Sequence, residues 1–164
     1  MTIRTEMRGF AEGVVRFSNL KHLILNIDVQ GPSESGSGIL RLAYLLKLVL
    51  VLEELELNMY YSRSMPIYTN TSQLDKMSSP CPHRHLKIVR MTGFYGIRGQ
   101  LELAHHILHS VNSLEHLIID PKVRVEWGPR PDWWRHENRF LVMGGGMARL
   151  FVCKGERSRL VTIL

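Results

Sequence analysis

The chain has little cysteine. Two of its 164 residues are Cys, at positions 81 and 153, with no C-x-x-C pair. This excludes a disulfide scaffold and a four-cysteine zinc site within one chain, and it fits a reducing, intracellular compartment, cytoplasmic or nuclear. A long hydrophobic run is also missing. The most apolar stretch, Ile39 to Leu57, carries Arg41, Lys47 and Glu53. It is too short and too charged to span a bilayer, so no membrane partner is expected. Glu6 and Glu12 interrupt the first twenty residues, which hold no apolar core of leader length. No Ser/His/Asp grouping and no paired acids stand at a recognisable catalytic spacing. The chain is therefore read as non-enzymatic and without a cofactor.

Apolar content is 45%. That is too much for a disordered chain, and the length suits a single domain over residues 1–164. The net charge of +6 is uneven. Residues 21–119 carry nine Lys/Arg against eight Asp/Glu, whereas residues 120–164 carry nine against five. The excess sits in the last quarter and raises the question of an anionic partner.

The chain repeats itself. Leu20–Leu25, Leu52–Leu57, Leu86–Met91 and Leu114–Ile119 share the pattern L-x-x-L-x-L with conservative swaps. Their starts lie 32, 34 and 28 positions apart, slightly longer than the roughly 20–29 residues usual for a leucine-rich repeat. Each ends in the period-2 alternation of a strand. Leu160–Leu164 is a weaker fifth candidate. Between them lie helical patterns. From Gln100 to Val111, Leu101, Leu103, Ala104, Ile107, Leu108 and Val111 share one side of a wheel, with Glu102, His105, His106 and His109 on the other. Ile39–Leu50 reads as a second helix, preceded by the Ser-rich loop Pro32–Ser37. Residues 61–85, rich in Ser, Thr and Pro, read as a long loop. Strands alternating with helices at a steady period predict an α/β leucine-rich-repeat solenoid fragment. Its parallel strands line the concave side and its helices lie outside. Residues 16–121 make about four repeats, and 122–164 a C-terminal cap.

Arg16-Phe17-Ser18-Asn19-Leu20-Lys21-His22-Leu23-Ile24-Leu25 resembles the F-x-N-L-K-H-L opening of repeats in plant F-box/leucine-rich-repeat proteins. Leu45-Leu46-Lys47 followed by Leu52–Leu57 is similar to their helix-to-strand unit. The segment from His85-Leu86-Lys87-Ile88-Val89-Arg90-Met91-Thr92-Gly93-Phe94-Tyr95-Gly96 to Leu114-Glu115-His116-Leu117-Ile118-Ile119-Asp120-Pro121 resembles the FBD-type and meiotic-F-box-type C-terminal repeats of that family. The resemblance implies an adaptor that recruits a protein substrate to a Skp–cullin–F-box ubiquitin ligase. The residues before Arg16 are too few to form an F-box. The Skp subunit is thus expected as a partner only through an upstream F-box.

In each strand the repeat leucines point inward and the alternate residues outward. The outward positions form three columns of candidate protein-binding residues: His22, Glu54, Ile88 and His116; Ile24, Glu56, Arg90 and Ile118; and Asn26, Asn58, Thr92 and Asp120. Glu56 and Arg90 are expected to pair across neighbouring strands, worth about 0.2–1 kcal/mol.

Other constellations carry less. Cys81, His83, His85, His105 and His109 suggest zinc, but the helix histidines fall on a polar face and the rest in a loop, so convergence on a tetrahedral site is not expected. Gly93–Gly99 lacks the Lys-Ser/Thr of a phosphate loop. Its Gly96-Ile97-Arg98-Gly99 matches the G-x-x-G of KH domains, but a tight strand-to-helix turn explains the glycines more simply. Gly144-Gly145-Gly146 predicts a flexible or broken final helix. The basic C-terminal quarter, with Trp127, Trp133, Trp134, Arg130, Arg135, Arg139 and Arg149, supports the alternative of a nucleic-acid-binding protein. A cap over the solenoid end accounts for those tryptophans better, so a nucleic-acid partner is not favoured.

Overall fold

Each L-x-x-L-x-L segment becomes a strand, because only a period of two puts its second and third leucines on the same face. The computed structural model describes residues 2–4, 19–28, 46, 49–60, 83–122 and 137–164, with the backbone alone for 2–4, 28 and 137–141. The strands are β1 (Thr2–Arg4), β2 (His22–Asp28), β3 (Glu54–Tyr60), β4 (Ile88–Thr92), β5 (His116–Asp120) and β6 (Val161–Ile163). They form one six-stranded sheet in the order of the sequence, and every neighbouring pair is parallel. Parallel neighbours need a crossover between them, here α1 (Arg98–Ser110) before β5 and α2 (Glu137–Phe151) before β6. A 3-10 turn, Glu156–Leu160, leads into β6. The expected helix at Ile39–Leu50 falls almost wholly outside the described residues. So do most of the 61–85 loop and the segment 123–136.

One face of the sheet and the inner sides of the helices share a single core. Leu25, Leu55, Leu57, Val89, Met91, Leu117 and Ile119 join Leu101, Ala104, Ile107 and Leu108 of α1, Ala148 of α2 and Val152 just beyond it. Full burial of such a side chain is worth about 1.5–3 kcal/mol, so the helices occupy the core face and leave the other face open. The first leucine of each segment also points in, with Leu52 and Leu86 at 0% exposure.

The repeats are also stapled where each strand begins. The Lys21 carbonyl accepts from the amides of Glu53 and Glu54, the Glu53 carbonyl from Lys87 and Ile88, and the Lys87 carbonyl from Glu115 and His116. The side chains of this row alternate in charge. Lys21 Nζ lies 2.9 Å from Glu53 Oε1, and Lys87 Nζ 3.2 Å from Glu115 Oε1. The hydrogen bond from Lys21, and then its charge, hold the Glu53 carboxyl below its ordinary range; burial opposes this, and Lys87 and His85 add to it.

The turn from β4 into α1 is tight, as the glycines imply. Gly93 and Gly96 have φ of +68° and +76°, and a Cβ on Gly93 would stand 2.1 Å from the Met59 carbonyl oxygen. Gln100, fully buried, holds the turn together. Its Oε1 accepts from the amides of Tyr95 (2.8 Å) and Gly96 (3.0 Å), and its Nε2 donates to the Gly93 carbonyl at 2.9 Å.

Two expectations about helices are corrected. The run at 144–146 does not break the final helix, since α2 is continuous through it. The helix packs closely there: a Cβ on Gly144 would lie 2.0 Å from the Phe94 carbonyl oxygen. The polar side of α1 is solvated only in part, at the exposed His109. Glu102 and His106 are buried, and the His105 ring bonds the Phe151 carbonyl of α2. A helix inside a solenoid has neighbours on its flanks as well as beneath it, so a two-sided wheel understates its burial.

Candidate protein-binding face

The strand registers place the outward residues in columns. His22, Glu54, Ile88 and His116 are successive partners, as are Ile24, Glu56, Arg90 and Ile118, and Asn26, Asn58, Thr92 and Asp120. Sheet pairing thus assembles residues up to 94 positions apart into one surface. Its columns differ in character.

The column at the strand starts is the most exposed. His22, Glu54 and His116 are exposed, and Ile88 is half-buried. His22 Nδ1 lies 3.9 Å from Glu54 Oε2, and such exposed pairs contribute little to stability. The middle column is open and mixed. Ile24 is 42% exposed, a large apolar side chain left in water. Glu56, Arg90 and Ile118 are half-buried. Glu56 and Arg90 face each other in register, yet they are not among the ion pairs of the described residues, which are Lys21–Glu53, His22–Glu54, Lys87–Glu115 and Arg98–Glu102. Proximity along the sheet does not compel two long side chains to meet, because pairing them costs side-chain entropy.

The third column is a correction. Asn58, Thr92 and Asp120 are buried, at 9%, 1% and 6% exposure, and so do not offer a binding surface. Asn58 and Thr92 belong to a hydrogen-bonded ladder with Asn26, and Asp120 is bonded locally. Asn58 Nδ2 donates to Asn26 Oδ1 at 3.0 Å, and Tyr60 donates to the same oxygen at 3.3 Å. The Thr92 hydroxyl bonds Asn58 Oδ1 and also reaches the Leu57 carbonyl at 3.3 Å. Asp120 Oδ1 accepts from the Lys122 amide at 2.9 Å. Buried polar groups are retained when partnered, and these partners lie within the chain.

Sequence reasoning missed two features of this face. Thr162 of β6 pairs in register with Ile118 and is exposed, so it extends the middle column by one strand. The V-T-I alternation of the fifth candidate strand carried that signal. The alternating Lys21, Glu53, Lys87, Glu115 row was legible as the second position of every segment.

The zinc reading gains no support from the geometry. Among the described residues no three His, Cys, Asp or Glu side chains stand together as a metal site. His105 and His109 stack on each other, with centroids 5.3 Å apart. His83 is buried, and its burial first, and the nearby His106 second, hold its imidazole below the ordinary range. Cys81, the three tryptophans, Arg130 and Arg135 lie outside the described residues, as does the side chain of Arg139. Gly96–Gly99 follows a strand and runs into the first two residues of α1, unlike the two-helix setting of a KH loop. Among the described residues no helix is long and apolar enough to cross a membrane.

No curated protein and no solved structure matches the chain. Residues 1–130 match the family model described as At1g61320/AtMIF1, LRR domain. That span covers most of the chain and contains the four repeat segments and the first five strands of the sheet. Repeats, parallel sheet and family match agree, and the chain belongs to this plant leucine-rich-repeat domain family.

Proposed function

We propose that the chain is a non-enzymatic recognition module that holds a protein substrate on the open face of its sheet, as the substrate-recruiting region of an F-box adaptor. One observation carries this reading: the middle column sets apolar, acidic, basic and apolar side chains side by side, outward and unpaired across the strands. A surface with alternating charge and apolar groups suits another protein. A phosphate backbone would need a concentration of Lys and Arg instead. Docking on the Skp subunit belongs to an F-box, whereas the described residues form strands and helices of repeats.

A photo-cross-linking amino acid at Ile118, with the protein incubated in plant extract, tests the reading. The expected result is a discrete protein adduct, identified by mass spectrometry, that fades in Glu56→Lys and in Arg90→Glu, each of which leaves two like charges in the column. Cross-linking indifferent to both changes would overturn it. Strong retention of the Skp subunit by these 164 residues alone would overturn the division of labour with an F-box.

A further inference from the structure

We infer that the partner element seated on the open face is an amphipathic α-helix lying across the strands, with apolar residues at i and i+10 and one basic and one acidic residue at i+3 and i+7. The inference rests on the protein-binding reading above and specifies what that face binds.

Spacing is the first argument. The middle column places Ile24, Glu56, Arg90 and Ile118 on four successive strands. Strands in a sheet are about 4.8 Å apart, so the later three side chains start about 4.8, 9.6 and 14.4 Å from the first. A helix rises about 1.5 Å per residue, so positions i+3, i+7 and i+10 lie about 4.5, 10.5 and 15 Å from i, all on one side. The two ladders stay in step over all four strands. An extended segment crossing the sheet offers a side chain to it only about every 6.6 Å and is out of step by the second strand.

Charge is the second argument. Read from β2 to β5, the column runs apolar, acidic, basic, apolar. Its complement is apolar, basic, acidic, apolar. Glu56 and Arg90 do not neutralise each other as an ion pair, so a partner carrying one charge of each sign gains two contacts. A partner with two like charges gains one and meets repulsion at the other. The positions i, i+3, i+7, i+10 read the same in both directions. A helix with its two charges exchanged therefore docks with its axis reversed, and the face selects a mixed pair without fixing its order.

The footprint is bounded on both sides. Towards the strand ends, Asn58, Thr92 and Asp120 are buried, and the half-buried Asn26 and Tyr60 are bonded to each other, so little is left to engage. Towards the strand starts, the exposed Glu54 and His116 stand where the flank of a helix would pass.

The test uses the full chain and stapled helical peptides of fourteen residues with Leu at i and i+10, read by fluorescence anisotropy. The charged positions are Lys/Glu, Lys/Lys or Glu/Glu. The wild-type chain should bind the Lys/Glu peptide about tenfold more tightly than either like-charged peptide, with the margin narrowing as salt rises. Glu56→Lys should transfer the preference to Glu/Glu, and Arg90→Glu to Lys/Lys. A Lys/Glu peptide with its second leucine moved to i+5, off the common side, should lose binding. Equal affinity for all three charge patterns, no binding at all, or a preference unmoved by both substitutions would overturn the helix inference. If the Ile118 adduct still forms and depends on Glu56 and Arg90, protein binding stands and only the helix fails. If that adduct is also absent, both readings fail.

Discussion

Two columns of the same sheet face, two residues apart along every strand, have opposite fates. Ile24, Glu56, Arg90 and Ile118 are open to solvent or half-buried and unpaired across the strands. Asn26, Asn58, Thr92 and Asp120 point the same way, yet three of the four are buried and all four accept or donate hydrogen bonds within the chain. Period-2 alternation assigns both sets to one face. What separates them is whether polar atoms find internal partners. An outward direction is therefore not evidence of a binding role. A column whose polar atoms are already bonded inside the chain holds the sheet together, and a column left open is the one offered to a partner.

The sharpest way to break the closed side lies where β4 ends. Gly93→Ala puts a Cβ 2.1 Å from the Met59 carbonyl, at a φ of +68° that side chains rarely adopt. Met59 is held in β3, and Gly93 is tied by its amide to the Lys122 carbonyl and by its carbonyl to Gln100, so relief requires the backbone to shift. The expected loss is roughly 3 kcal/mol or more, the sum of positive-φ strain and overpacking. Urea unfolding monitored by circular dichroism would show it as a fall in midpoint. A midpoint within experimental scatter of wild type would show that the turn relaxes freely.

Asn58→Ala comes next. It removes the donor to Asn26 and the acceptor of Thr92, and leaves a nearly fully buried hydroxyl with the Leu57 carbonyl alone. Loss of a buried hydrogen bond with an unsatisfied partner costs about 1–3 kcal/mol. Thr92→Val in the same background should recover part of that loss, because it deletes the stranded hydroxyl. Additive losses in the double variant would mean the ladder is not a coupled network.

The same contrast applies to histidines. His22 and His116 are exposed on the open face, whereas His83 is 2% exposed. Burial and His106 depress the His83 imidazole below its ordinary 6.5. Between the two values the unfolded chain binds the proton that the folded chain refuses. Stability from this group is thus complete above about pH 6.5 and declines as pH falls towards the depressed folded value. Measured midpoints should drop below pH 6.5, and His83→Leu should flatten that limb. An acid limb that survives His83→Leu would assign it to another group.

These contrasts also mark how far sequence reasoning reaches here. The strands β2 to β5 and their columns follow from L-x-x-L-x-L alone, because one period sets both the face and, through equal segment lengths, the register. Three things do not follow from it. Strand β1 has only three residues and no leucine pattern, so it carries no periodic signal. The continuity of α2 depends on Gly144 meeting the Phe94 carbonyl, a contact across about fifty positions that outweighs a helix propensity cost near 1 kcal/mol per glycine. The burial of Asn58, Thr92 and Asp120 depends on where their partners lie in three dimensions, which composition does not encode. Within the candidate site, the middle column was legible and its separation from the third was not.

The smallest expected change in stability is on the open side, and it completes the contrast. Arg90→Gln removes the charge of a half-buried residue that is not among the ion pairs of the described residues. Substitutions away from packed or bonded features stay within about ±0.5 kcal/mol. The urea midpoint should therefore hold while the yield of the Ile118 adduct falls. A residue that builds the fold loses stability first and binding as a consequence, whereas a residue that meets a partner loses binding alone. If Arg90→Gln lowered the midpoint as much as Asn58→Ala, the open column would be structural too, and the division of this face into a closed and an offered half would not hold.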